Sequence, residues 1–241
     1  MEQADMQTVL VINSKGGSGK TTIASNLASL FAASHLKTAL MDYDPQGSSL
    51  HWNQLREQGD SPAIHMVDAS HFKVGVTRTF QLRIPHNTER VVIDAPAGMC
   101  KKILNEMVIK ADVIIVPVVP SPIDIHASSE FIYELKLIIN ACRHNHTIIG
   151  VVANRIRAKK ALYRPLKHFL DELNIPFVAA LADTDNYIRA VESGLGVHEL
   201  SPQTVRLELS QWLPLVKWLA AHSSVSHRSQ SVPLMAGSAR G

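Results

Sequence analysis

Between Asn13 and Thr22 the chain reads Asn-Ser-Lys-Gly-Gly-Ser-Gly-Lys-Thr-Thr, three glycines set between two lysines and followed by two hydroxyls. This composition suits phosphate chemistry. Backbone N–H groups of a turn that lacks side chains can converge on phosphate oxygens, and a helix that starts at its end adds its positive pole. Residues Ser14 to Thr21 fit the pattern G-x-x-x-x-G-K-[ST], with Ser14 in place of the first glycine. In that pattern Lys20 lies against the β- and γ-phosphates and the Thr21 hydroxyl ligates Mg²⁺.

A magnesium site needs a second anchor, and Val91-Val92-Ile93-Asp94 supplies one, an apolar strand that ends in a carboxylate. Two more acids, Asp42 and Asp44, follow the apolar run Ala39–Met41. Alternation along a strand points both to one side, so that one could support the hydration shell of the metal while the other orients an attacking water. The Pro45-Gln46-Gly47 that follows would equally explain them as residues of a surface turn.

These groups must be positioned by regular elements. Runs rich in Val and Ile recur at Val9–Ile12, Ala39–Met41, Val91–Ile93, Val113–Val119, Ile148–Val152 and Phe177–Leu181, with a weaker one at Ile64–Val67. They predict strands buried on both faces, as in a parallel sheet. Segments with helical spacing intervene, among them Ile23, Leu27, Leu30 and Phe31, then Phe131, Leu135, Ile138 and Ile139. The alternation predicts an α/β fold, a doubly wound, mostly parallel sheet flanked by helices, in which the glycine-rich loop joins the first strand to the first helix. A single domain over 1–221 is expected, with a last helix over 203–221 and a disordered tail over 222–241, where Ser is frequent and acids are absent.

Composition narrows the function further. The chain has 241 residues, 46% hydrophobic, and two cysteines, Cys100 and Cys142, which cannot build a disulfide framework. No run approaches the length of a membrane span and the start lacks a secretory pattern, so a cytoplasmic protein is expected. His144 and His146 have no third ligand at metal spacing and are read as loop residues. The net charge of +3 is modest, but Leu135 to Leu170 holds eight of the 24 Lys and Arg and no acid. A solvated helix face would explain such a run, and so would a surface for phosphate backbones. Since the interleaved residues are mainly aliphatic, sequence-independent binding of duplex DNA is a better form of the second reading than base stacking.

Together the motifs resemble those of the ParA/MinD superfamily. Lys15-Gly16-Gly17-Ser18-Gly19-Lys20-Thr21-Thr22 is similar to its deviant Walker A box with an extra signature lysine. Asp42-x-Asp44-Pro45-Gln46-Gly47, Asp94-Ala95-Pro96-Ala97-Gly98 and Val151-Val152-Ala153-Asn154-Arg155 follow in the family's order, and the chain is closest in kind to small ParA-type ATPases without an N-terminal DNA-binding domain. The resemblance implies an ATP-dependent sandwich dimer that hydrolyses ATP. Lys15 would reach the phosphates held by the partner protomer, while Gly16, Gly17, Ser18, Gly19, Lys20, Thr21 and Thr22 cradle the protomer's own. Asp44 would position the hydrolytic water, Asp94 would support the metal with Thr21 and Asp42, and Asn154 would contact the adenine.

The resemblance also implies non-specific binding of nucleoid DNA through basic residues of the C-terminal half, with Arg157, Lys159, Lys160, Arg164, Lys167 and Arg189 as candidates. A ParB-like or cargo-adaptor protein would stimulate hydrolysis. The cargo would be a plasmid, a chromosome or a protein body, and the look of Asp42–Leu50 and Asp94–Gly98 inclines the reading toward a carboxysome-type compartment. Two alternatives stand beside this one. A P-loop ligase acting on a small carboxylate would need an acceptor site that the sequence does not display. A MinD-like membrane-cycling regulator would need an amphipathic tail that residues 222–241 do not supply.

Overall fold

Seven apolar segments become the strands of one sheet in the computed structural model, which describes residues 6–71, 77–141, 146–157 and 163–223. They are β1 (Gln7–Val11), β2 (Thr38–Asp42), β3 (His65–Asp68), β4 (Arg90–Asp94), β5 (Val113–Val118), β6 (Ile148–Ile156) and β7 (Phe177–Ala182). All pairings are parallel and the order is β3-β2-β4-β1-β5-β6-β7. The chain winds outward from β1 in both directions, so the carboxyl end of β1 opens into a crevice at the switch in strand order, where open α/β sheets bind ligands. The glycine-rich loop follows β1 directly.

Both faces of the sheet are covered, which explains why the strands read as continuous apolar runs rather than alternating ones. On one face α1 (Lys20–Ala33) and α8 (Arg206–Ala221) bring Ile23, Leu27, Phe31, Trp212, Leu215 and Leu219 against Val9, Val11, Leu40 and Val92. On the other, α4 (Lys101–Lys110), α5 (Pro122–Ala141) and α6 (Tyr163–Glu172) pack Leu104, Met107, Phe131, Leu135 and Leu170 against Leu10, Ile12, Ile93 and Ile114. The short helices α2 (Ser48–Arg56), α3 (Arg78–Gln81) and α7 (Asp185–Glu192) complete the set.

Most strand bounds shift by a residue or two, and two boundaries differ from expectation by more. The last helix starts at Arg206, not Gln203, because Ser201 to Thr204 close a turn in which Thr204 N–H donates to the Ser201 carbonyl. Strand β6 runs four residues beyond Val152, with a register break between Ala153 and Ile156 where Arg155 takes a left-handed φ of 57°. That break carries Asn154 and Arg155 out over the glycine-rich loop. Most of the tail expected over 222–241 lies outside the described residues.

Register sets the site. Asp94 pairs with Val11 of β1 on one side and with Asp42 of β2 on the other, so the ends of the three strands meet at one level. An apolar neighbour on one flank and a second carboxylate on the other is an environment in which a charge is costly unless something answers it.

Candidate nucleotide-binding site

The loop from Asn13 to Gly19 is held from outside by its carbonyls. Asn154 Nδ2 donates to the Ser18 carbonyl at 2.8 Å and Arg155 Nη1 to that of Gly17 at 3.2 Å. The Lys15 carbonyl accepts from Lys20 Nζ at 3.0 Å and from Ser18 Oγ at 3.3 Å. At the base of the loop Asn13 Nδ2 is anchored on the Pro117 carbonyl at 2.7 Å and on Ser128 Oγ at 3.0 Å, while its Oδ1 receives the Lys15 N–H. With these carbonyls occupied, the remaining N–H groups of the turn are available to an anion, as in an anion nest. Gly19, which caps α1, has a φ of 90°, and a Cβ there would stand 2.0 Å from Asn154 Nδ2. No acidic residue occupies the first turn of α1, so its positive pole is not neutralised from within.

Lys20 is buried, and desolvation lowers its pKa against the opposing pull of Asp94 and Asp44. Such an ammonium gains from a phosphate what burial has removed. Lys15 is half-buried at the loop's rim, where it lines a cavity of about 550 Å³ together with Asp124, Arg155, Arg157 and Asp183. A second cavity of about 820 Å³ adjoins the start of α1 and is lined by Thr22, Asn154, Ile156, Thr184, Tyr187 and Ile188, among others. Its mixed apolar, polar and charged lining, which also includes Arg155, Arg157, Asp183, Asp185 and Glu192, lies beside a phosphate nest and suits a nucleoside.

The carboxylates have divided their tasks. Asp94 is fully buried; burial pushes its carboxyl up to about 7, and Asp42 adds to the effect, while the Ser49 hydrogen bond, the nearby Thr21 hydroxyl and the Lys20 charge oppose it. Ser49 Oγ donates to Asp94 Oδ2 at 2.7 Å, and Oδ1 has no hydrogen-bond partner. A buried carboxylate oxygen without a partner, beside the Thr21 hydroxyl and the Lys20 ammonium, fits a Mg²⁺ site that takes phosphate oxygens as further ligands. Among the described residues no group of three His, Cys, Asp or Glu side chains could hold a metal by itself.

Asp42 is also fully buried, and its oxygens accept from Asp44 N–H at 2.9 Å, Ser49 N–H at 3.0 Å and Leu50 N–H at 3.1 Å. It caps α2, a task the sequence reading did not assign to it. Asp44, half-buried, receives the Gln46 N–H on Oδ1 at 3.0 Å and stands close enough to Lys20 to act on its charge.

The structure thus brings together Lys15, Gly16, Gly17, Ser18, Gly19, Lys20, Thr21, Thr22, Asp42, Asp44, Asp94 and Asn154 at one sheet edge. It also adds residues that the sequence reading passed over. Ser49 carries no signal of its own in the sequence, and its contact with Asp94 depends on how α2 packs. Asp183 follows the end of β7 as an acid follows β2, a signal present in the sequence, and its carboxylate pairs with Arg157 at 2.7 Å and with Arg155 at 3.9 Å.

The proposed DNA residues are not gathered with the same clarity. Arg157 faces the nucleotide cavities, Lys167 and Arg189 are exposed on α6 and α7, and Lys159 and Lys160 lie outside the described residues, as does the side chain of Arg164. Within the same basic run Lys136 donates to the Leu173 carbonyl at 2.6 Å and so serves the fold.

Comparison with known proteins agrees with this geometry. The family of CobQ/CobB/MinD/ParA nucleotide binding domains matches residues 9–197. The chain belongs to this family. It is an ATPase of the ParA/MinD type, and its similarities include carboxysome distribution proteins. It is 29% identical over 195 residues, 80% of this chain and 87% of the relative, to maintenance of carboxysome distribution protein A of Halothiobacillus neapolitanus. The protein of the same name from Gloeobacter kilaueensis is 34% identical over 131 residues, 54% of this chain and 57% of that one. Among solved structures, apo McdA of Cyanothece superimposes with a TM-score of 0.69 at 15% identity, covering 90% of this chain and 99% of that one. The MinC:MinD complex of Aquifex aeolicus gives 0.64 at 17% identity, covering 95% and 98%. At these identities the structural likeness speaks for the shared fold.

Proposed function

We propose that this ParA/MinD-type ATPase is a positioning switch: ATP with Mg²⁺ joins two copies, the dimer binds nucleoid DNA without sequence preference, and a cargo-bound adaptor stimulates hydrolysis and release. The observation that carries the reading is Lys15. It sits at the rim of the loop, half-buried beside an open cavity, whereas Lys20 is turned into its own loop. A second lysine at the rim of a phosphate nest, lining a cavity rather than buried as Lys20 is, is suited to a phosphate held by another protomer.

In this reading Lys20, Thr21 and Thr22 hold the phosphates, Thr21 and Asp94 hold Mg²⁺, Asp44 orients the attacking water, and Asn154 serves both the loop and the adenine. Bound Mg²⁺ supplies charge neutralisation at the β- and γ-phosphates. Loss of the γ-phosphate removes the shared charge centre on which the dimer rests, and that makes the reaction a switch. The domain is taken as 1–221, and the location as the cytoplasm, on the nucleoid. For the cargo, the similarity to one carboxysome distribution protein over 80% of this chain and to a second over 54% supports a carboxysome-type compartment over a plasmid.

The test is the stimulus of hydrolysis. Phosphate release by the purified protein is expected to rise with duplex DNA or an adaptor protein and to ignore small carboxylates. Release that depends on a small carboxylate, with no response to DNA, would assign the chain to the ligases. Sedimentation with anionic vesicles in ATP, rather than with DNA, would assign it to membrane-cycling regulators.

A further inference from the structure

We propose that Ser49 is a positioning residue for the metal-binding carboxylate of Asp94, locked in place by Asp42, and that this couples the loop after β2 to the Mg²⁺ site. The inference rests on the reading of Asp94 as a metal anchor.

Three observations carry it. Ser49 is fully buried, and its Oγ donates to Asp94 Oδ2 at 2.7 Å. Asp42 Oδ2 accepts the N–H groups of Ser49 and Leu50, which fixes the first turn of α2 and with it the direction of the Ser49 hydroxyl. Asp94 Oδ1 is left without a hydrogen-bond partner in the interior. A carboxylate held by one oxygen cannot rotate freely, so the other oxygen presents a fixed direction to whatever it binds. This is how outer-shell donors orient a ligand, and their loss typically lowers metal affinity by about 10- to 100-fold.

The alternative, that Ser49 only satisfies a buried polar group, predicts a uniform effect on stability and none confined to the metal. The Asp42–Ser49–Asp94 chain predicts otherwise. Asp44 N–H is bound to the same Asp42 carboxylate, so the backbone that carries the proposed water-positioning acid and the hydroxyl that aims the metal ligand share one anchor. Movement of that loop is then felt at the Mg²⁺ site without any contact between Asp44 and Asp94.

Calorimetric titration of ADP, in Mg²⁺ and in EDTA, separates these readings. Ser49→Ala is expected to lose about tenfold in the Mg²⁺-dependent gain in ADP affinity and to bind ADP normally in EDTA. Ser49→Cys, near in size with a weak donor, is expected to fall between the two, and it covers the case in which Ser49→Ala does not fold. Equal losses in Mg²⁺ and in EDTA, or a Mg²⁺ gain like that of the wild type, would overturn the proposal. Asp94→Ala serves as the reference: if it abolishes the Mg²⁺ gain while Ser49→Ala keeps it, Ser49 does not position the ligand. If Asp94→Ala keeps the gain too, the metal assignment fails, and the proposal with it.

Discussion

Lys15 and Lys20 belong to one loop yet have different surroundings, and substitution should separate them. Lys15→Ala is expected to bind ATP as a monomer and to lose ATP-dependent dimers in light scattering, whereas Lys20→Ala should lose nucleotide binding itself. Asp44→Ala is expected to bind ATP and to hydrolyse it about a hundredfold or more slowly, the range seen when a group that handles the water's proton is removed.

Asp94 gives a pH prediction. In the protein free of metal and nucleotide its carboxyl, pushed up to about 7, holds a proton that the unfolded chain has already released, so the native state binds more protons between about pH 4 and 7. Thermal stability measured in EDTA should therefore fall across that window on account of this group and level off above it, and Asp94→Asn should remove the slope. Much of this residue-scale picture was legible in the chain because Lys, Thr and Asp at strand ends have few uses other than phosphate and metal. Ser49 was not, since nothing in its type or spacing sets it apart and only packing shows what it touches; Asp183 carried the signal of an acid after an apolar run, but its pairing with Arg155 and Arg157 shows only in the fold.

At the scale of elements, the glycine-rich loop depends on β6 as much as on β1. Gly19→Ala would drive a Cβ into the Asn154 amide at a φ that favours glycine, and nucleotide binding should be lost while the fold survives. The far end of α2 has its own anchor. Arg56 makes two bonds to Glu199, at 2.7 and 2.8 Å, and also donates to the Gly194 and Pro62 carbonyls, while Trp52 Nε1 reaches the Leu195 carbonyl at 3.1 Å.

Because the Arg56 side chain is almost wholly buried, Arg56→Ala leaves a carboxylate and two carbonyls unanswered. It should cost about 3 kcal/mol or more in denaturant unfolding. The strands were readable from apolar runs buried on both faces, and the order of motifs foretold which strand ends would meet. The bulge in β6 and the late start of α8 were not, because each is decided by hydrogen bonds to neighbours rather than by local periodicity.

For the whole molecule, charge is the feature that sequence and structure treat differently. The acid-free run from Leu135 to Leu170 allowed either a solvated helix face or a surface for phosphate backbones, but in the fold Lys136 holds a carbonyl, and Arg155 and Arg157 turn toward Asp183 and the nucleotide cavities. The basic surface left free is therefore smaller in one protomer than the count of eight suggests. The proposed reversible binding of DNA would gain from this. Weak contacts on a single copy become useful only when a second is joined to it, as effective concentration multiplies two modest affinities.

The proposed switch stands or falls on that dependence. A gel-shift titration of unrelated duplexes with purified protein should give tight, sequence-independent binding with Mg²⁺ and ATP, little with ADP or without nucleotide, and a steep loss as salt is raised. The same affinity in all three nucleotide states would contradict it.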